Sequence, residues 1–186
     1  MSDLKLYMIL LGCRPKGRLT EQHDIFFGIA ETLKELIPFI KDFWPEIKGE
    51  IHIDAWREVK RVNGYSIRVV ERAKETKSDL NLFFLNLGGY KADEFDEFHY
   101  KLLAVAKTSG EAIKEAKQTV FYKHTSFKGA TSHIDDKYGI DIDDVFTVKE
   151  VLPAHFKEMY ALEITEERQK DEDKMHLGYL PLKNIR

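Results

Sequence analysis

Leu6-Tyr7-Met8-Ile9-Leu10-Leu11-Gly12 and Leu82-Phe83-Phe84-Leu85-Asn86-Leu87-Gly88 stand 76 residues apart, and the two stretches they open decide the fold. Leu6 to Lys41 lies on Leu82 to Lys117 without a gap. Leu6, Leu11, Gly12, Glu21, His23, Ala30, Thr32, Glu35, Ile37 and Lys41 meet identical residues in Leu82, Leu87, Gly88, Glu97, His99, Ala106, Thr108, Glu111, Ile113 and Lys117. Ten identities in 36 positions are far more than unrelated segments share, so the chain reads as a tandem repeat. A shorter match follows each copy, His52-Ile53-Asp54 against His133-Ile134-Asp135.

The repeat also arbitrates the local structure. Leu4 to Leu11 and Leu80 to Leu87 are short apolar runs stopped by glycine, which read as buried strands. Thr32-Leu33-Lys34-Glu35 and Thr108-Ser109-Gly110-Glu111 are capping boxes at one register. They predict helices over 33–43 and 109–121 and leave 24–30 and 100–106 as strands. Pro38 is expected to kink or shorten the first helix. Further strands are predicted at 50–55 and 131–135, and Asn63-Gly64 predicts a hairpin. Val145 to Leu152 reads as a short helix stopped by Pro153, and a last strand is placed near Met159 to Ile164.

These elements predict an α+β protein of two tandem ββαβ units, 4–71 and 80–164, related by a pseudo-twofold with the helices on one sheet face. A single mixed sheet through both copies is the alternative. Residues 165–186 read as a charged linker and a C-terminal tail whose apolar end, Leu177 to Leu182, docks on the fold.

Composition narrows the function class. A net charge of −3 and a pI near 6.2 argue against a dedicated nucleic-acid binder, whose affinity comes from excess Lys and Arg. Cys13, the single cysteine, excludes an internal disulfide framework and fits a reducing compartment. No apolar run is long enough to span a bilayer. Leu10-Leu11-Gly12-Cys13 mimics a lipoprotein cleavage box, but the same strand recurs internally, so the cytoplasm is expected.

Alternation puts His52 and Asp54 on one face of their strand, and His133 and Asp135 repeat the pattern. A parallel crossover from 24 to 54 would bring Glu21 and His23 near them. Three readings stand. His23, His52 and Asp54 are candidate transition-metal ligands. Glu21, His23, His52 and Asp54 are candidate acid–base groups. A hydrogen-bond network ordering the loops is the third.

Arg14, Lys16 and Arg18 after Gly12 form a candidate anion-binding loop, with Asp24, Glu97, His99, His133 and Asp135 as further candidate ligand-binding residues. Cys13 beside His23 reads as inert packing, because Gly89 holds its place in the second copy.

Glu21-Gln22-His23-Asp24-Ile25-Phe26-Phe27-Gly28-Ile29, His52-Ile53-Asp54-Ala55-Trp56-Arg57, Leu82-Phe83-Phe84-Leu85-Asn86-Leu87-Gly88-Gly89-Tyr90 and Glu97-Phe98-His99-Tyr100 resemble the bacterial domain-of-unknown-function family 1543. The resemblance covers about Leu4 to Ile164 and implies one or two copies of the unit. It implies no activity. The functional expectation is a small ligand- or partner-binding regulatory protein taking a small molecule or a protein, with a homo-oligomer left open; a metal-dependent or acid–base hydrolase is the alternative.

Overall fold

Tyr7, Ile9, Leu11 and Cys13 alternate along one strand and are all buried, and Leu6 on the other face is buried as well, as in a strand flanked on both sides. The computed structural model describes residues 3–47, 51–90, 93–125, 141–167 and 173–185. The strand that contains Tyr7 is β1 (Lys5–Cys13), followed by β2 (Gln22–Ala30), α1 (Ile37–Phe43), β3 (His52–Glu58), β4 (Arg61–Val62) and β5 (Tyr65–Glu71). Next come β6 (Asn81–Tyr90), β7 (Glu97–Ala106), α2 (Ser109–Thr125), β8 (Asp141–Thr147) and α3 (Val148–Val151), then α4 (Ala154–Met159), β9 (Tyr160–Glu166) and β10 (His176–Pro181). The protein is α+β, with three antiparallel sheets and few helices.

Two compact units are present: Met1–Thr76 with Val151–Arg186, and Lys77–Glu150. In the first, β1 pairs antiparallel with both β2 and β3, and β10 adds outside β3, in the order β10-β3-β1-β2. Because β2 and β3 both oppose β1, they run parallel to each other with β1 between them, as the expected crossover requires. A second sheet, β4-β5-β9, completes this unit. Its tight turn has Asn63 at φ 40 and Gly64 at φ 86, the two positive φ values of the predicted Asn-Gly hairpin. The core of the unit is built on Leu6, Ile9, Leu11, Phe26, Leu36, Ile40 and Ile53. Each such side chain contributes about 1.5–3 kcal/mol on burial.

The second unit is the sheet β7-β6-β8 with α2. Phe83, Leu85 and Leu87 of β6 pack with Ala104 and Ala106 of β7 and with Ala112 and Ala116, one turn apart on α2. The β1–β3 register slips between Leu10 and Leu11, and the β6–β8 register slips between Asn86 and Leu87, the residues 76 further on.

Several sequence expectations are corrected. The first helix does not run from Leu33: a 3-10 turn occupies Leu33–Leu36 and the α-helix begins at Ile37, with Pro38 in its first turn where no intrahelical N–H is needed. Val145 and Phe146 belong to β8, not to a helix. A capping box missed in the sequence, Thr147 to Glu150, starts α3 instead: Glu150 N–H donates to Thr147 Oγ1 at 3.3 Å, and Thr147 N–H donates to Glu150 Oε2 at 2.9 Å. Tyr160–Glu166 pairs with β5 and so lies in the first unit rather than closing the second. The tail docks as expected, as β10 on the edge of β3. The strand predicted over 131–135, with His133 and Asp135, lies outside the described residues.

Candidate functional site

The site grows from one row across three strands. His23 on β2 opposes Gly12 on β1, and Gly12 opposes His52 on β3. Directly paired residues send their side chains to the same face, so two imidazoles flank a position with no side chain. Leu11 pairs with Ile53 and Leu10 with Ala55, which leaves Asp54 as the extra residue of a bulge. Bulges re-aim side chains, and this one brings the Asp54 carboxylate back beside His52.

The distances converge. His52 Nε2 lies 3.0 Å from Glu21 Oε1 and 3.3 Å from Asp54 Oδ2; His23 Nε2 lies 3.2 Å from Asp54 Oδ2 and 3.6 Å from Glu21 Oε2. His52 is buried, with its side chain 6% exposed, while Asp54 is 24% and His23 and Glu21 are 40% and 41% exposed, so the group opens to solvent on one side. His52 Nε2 and Asp54 Oδ2 are buried and make no hydrogen bond, although polar atoms stand within 3.3 Å of each. A buried polar atom without a partner costs about 1–3 kcal/mol.

Gly12 forms the floor. A Cβ at this position would come within 2.5 Å of His52 Nε2 and closer still to Asp54 Oδ2. Glycine here answers a close approach; it leaves open the space on which the two orphaned atoms converge.

Glu21, His52 and Asp54 offer one ligand atom each within 4.8 Å of one another, a set that could hold a metal ion. Of the three residues the sequence marks as metal ligands, His52 and Asp54 belong to this set. Glu21, marked only as an acid–base candidate, joins them, and His23 reaches Asp54 and Glu21 from the neighbouring strand.

The remaining candidates are placed as follows. Asp24 sits in the next row, opposite Leu11, and its carboxylate accepts the Ile25 N–H at 2.7 Å, so it is turned away from the row of His23. Arg14, Lys16 and Arg18 are exposed in the β1–β2 loop. Cys13 pairs with Gln22 rather than His23 and is buried, and burial, with the charges of Glu21 and Glu46, pushes its thiol pKa up. That disfavours a nucleophilic thiolate. In the second unit Glu97 and His99 are 3.9 Å apart, and His99 opposes Gly88.

The sequence reading missed the contribution of β10. Tyr179 lies on His52 with ring centroids 4.4 Å apart, and His176 stacks on Trp56 at 3.9 Å. Gly178 and Tyr179 stand between the Leu177–Ala55 and Leu180–Ile53 pairs, beside Asp54, with Gly178 at φ 123. The only signal in the sequence was a glycine interrupting the apolar end of the tail.

Comparison with known proteins gives a fold and a family match over part of the chain, but no chemistry. A solved structure, the protein Il1583 from Idiomarina loihiensis, is similar over 97% of this chain and 98% of its own, with 22% identity and a TM-score of 0.64. At that identity the likeness shows the fold alone. No curated protein matches the chain. Among the described residues no helix is long and apolar enough to cross a membrane, which says nothing of a β-barrel. The model of the Domain of Unknown Function family DUF1543 matches residues 18–69, the segment that carries Glu21, His23, His52 and Asp54.

Proposed function

We propose that the first unit holds a divalent transition metal on Glu21, His52 and Asp54, and that the protein is a metal-dependent hydrolase. One observation carries the reading: His52 Nε2 and Asp54 Oδ2 are buried, 3.3 Å apart and without a hydrogen bond. Bonds of about 2.0–2.2 Å to a tetrahedral ion would hold two ligands about 3.3–3.6 Å apart. The separations around the group, 3.0 to 3.6 Å, are of that size. One imidazole with two carboxylates suits zinc, iron or manganese. Such an ion, when bound, activates water at neutral pH. His23, exposed and 3.2 Å from Asp54 Oδ2, would be the group to accept a proton from water at this site. The metal-free alternative, a binding pocket ordered by His–carboxylate hydrogen bonds, would draw on the His52 Nε2–Glu21 Oε1 contact at 3.0 Å and the His23 Nε2–Asp54 Oδ2 contact at 3.2 Å.

The test is metal analysis of tag-free protein with His52→Ala beside it. About one transition metal per chain is expected, lost in His52→Ala. Stoichiometry well below one after reconstitution, or full retention in the variant, overturns the centre. Metal-loaded protein that turns over no ester, amide or phosphoester across a broad panel overturns the hydrolase.

We also propose that β1-β2-α1-β3 and β6-β7-α2-β8 are copies of one ββαβ unit. The 76-residue offset and the register slips at corresponding residues support this.

A further inference from the structure

Resting on the metal reading, we infer that the ligand of this site is a phosphate-type oxyanion, free or as a monoester, held between the metal and the cations of the β1–β2 loop. The loop is tied to the site at both ends. Gly12, its floor, lies two residues before Arg14, and Glu21, a ligand candidate, lies three residues after Arg18. Cys13 pairs with Gln22, so the loop begins one register position beyond the His23–Gly12–His52 row. Its shape is set by a turn, Arg18 N–H to Pro15 O at 3.2 Å with Gly17 at φ 84, and by Arg14 Nη2 donating to Leu19 O at 3.0 Å.

The charge pattern selects the ligand. Several other basic residues of the first unit are matched: Arg61 with Glu167, Arg68 with Glu163, Arg72 with Glu75 and Lys74 with Glu71. Arg14, Lys16 and Arg18 make no ion pair among the described residues. A divalent ion would neutralise Glu21 and Asp54, leaving the three cations of the adjoining loop in excess. Fixed positive charge beside a metal favours a multiply charged oxyanion over a neutral or monoanionic ligand, and guanidinium forks match phosphate oxygens. At the same place in the second unit the loop carries Asp93, Glu94 and Asp96. The rim is also apolar, with Leu19 92% and Tyr179 64% exposed, which suits the organic part of an ester.

The test is titration of cobalt-loaded protein with inorganic phosphate, phenyl phosphate and imidazole, followed by the visible cobalt spectrum and by calorimetry. Phosphate is expected to shift the spectrum. The double variant Lys16→Ala/Arg18→Ala, which keeps the Arg14–Leu19 bond, is expected to weaken phosphate about tenfold. Cobalt and imidazole affinities should stay as in the parent protein. Phenyl phosphate binding more tightly than phosphate identifies a monoester site, and the reverse order a free-phosphate site. Equal phosphate affinity in parent and double variant overturns the inference. Absence of cobalt binding overturns the metal centre instead; phosphate binding to that metal-free protein, lost in the double variant, would sustain the loop alone, and no phosphate binding would overturn both.

Discussion

Two rows, His23–Gly12–His52 in the first unit and His99–Gly88–Asp141 in the second, occupy the same register of the same three-strand frame. Each has glycine on the middle strand and histidine on the strand that follows it. They differ at the third strand, where Asp141 takes the register position of His52, and in the loop, basic in one and acidic in the other. The strand pairing is alike in the two units, and the loop after the middle strand differs in charge.

The comparison breaks most sharply at its two histidines. His23→Ala is expected to remove hydrolysis and weaken metal binding about 10- to 100-fold, as loss of a supporting group at a metal site does. His99→Ala should leave zinc affinity and stoichiometry as they are. Zinc calorimetry on both variants decides; equal losses would mean that the two rows act together. His52→Asp then asks whether the imidazole sets the metal preference of the first row. Zinc affinity should fall by about two orders of magnitude while manganese is retained, and parallel losses of both metals would show that the third-strand residue does not set the preference.

Gly12→Ala sharpens the same point sterically. The added methyl must displace His52 or Asp54, because it would stand within 2.5 Å of His52 Nε2. Metal binding should be lost with a destabilisation of about 1–3 kcal/mol, the cost of overpacking a filled site. Denaturant melts of the metal-free protein separate the two effects. A variant that still binds zinc as the parent does would remove Gly12 from the site.

What was legible in the sequence follows from range. The strands β1 and β6, the Asn63-Gly64 turn and the α2 capping box are written in adjacent residues. The pairing of Glu21 and His23 with His52 and Asp54 was reachable through the crossover. The match of His133-Ile134-Asp135 to His52-Ile53-Asp54 was a match of words, whereas position in a sheet is set by pairing: opposite Gly88 and Leu87 stand Asp141 and Ile142. The bulge that re-aims Asp54 and the return of β10 to β3, more than 100 residues later, are products of long-range pairing with no local signal. Asp173 helps to anchor that return, its carboxylate accepting the N–H groups of Lys60 and Arg61.

The smallest difference between the units lies where their helices begin. In the second, Glu111 N–H donates to Thr108 Oγ1 at 3.3 Å while Lys107 N–H donates to Glu111 Oε2 at 3.0 Å, so the box is closed in both directions. In the first, Glu31 N–H donates to Glu35 Oε2 at 3.3 Å, but the Thr32 hydroxyl donates to Glu35 Oε1 at 2.8 Å and caps no N–H. The reason is local: the 3-10 turn and Pro38 move the α-helix start to Ile37, beyond the reach of Thr32. A hydroxyl that satisfies an orphan N–H contributes about 1 kcal/mol, and one that only meets an exposed carboxylate contributes less. Thr108→Ala should therefore cost about 1 kcal/mol in urea unfolding, and Thr32→Ala no more than about half of that. Equal costs would mean that Thr32 turns its oxygen to the backbone in solution and that the two boxes work alike.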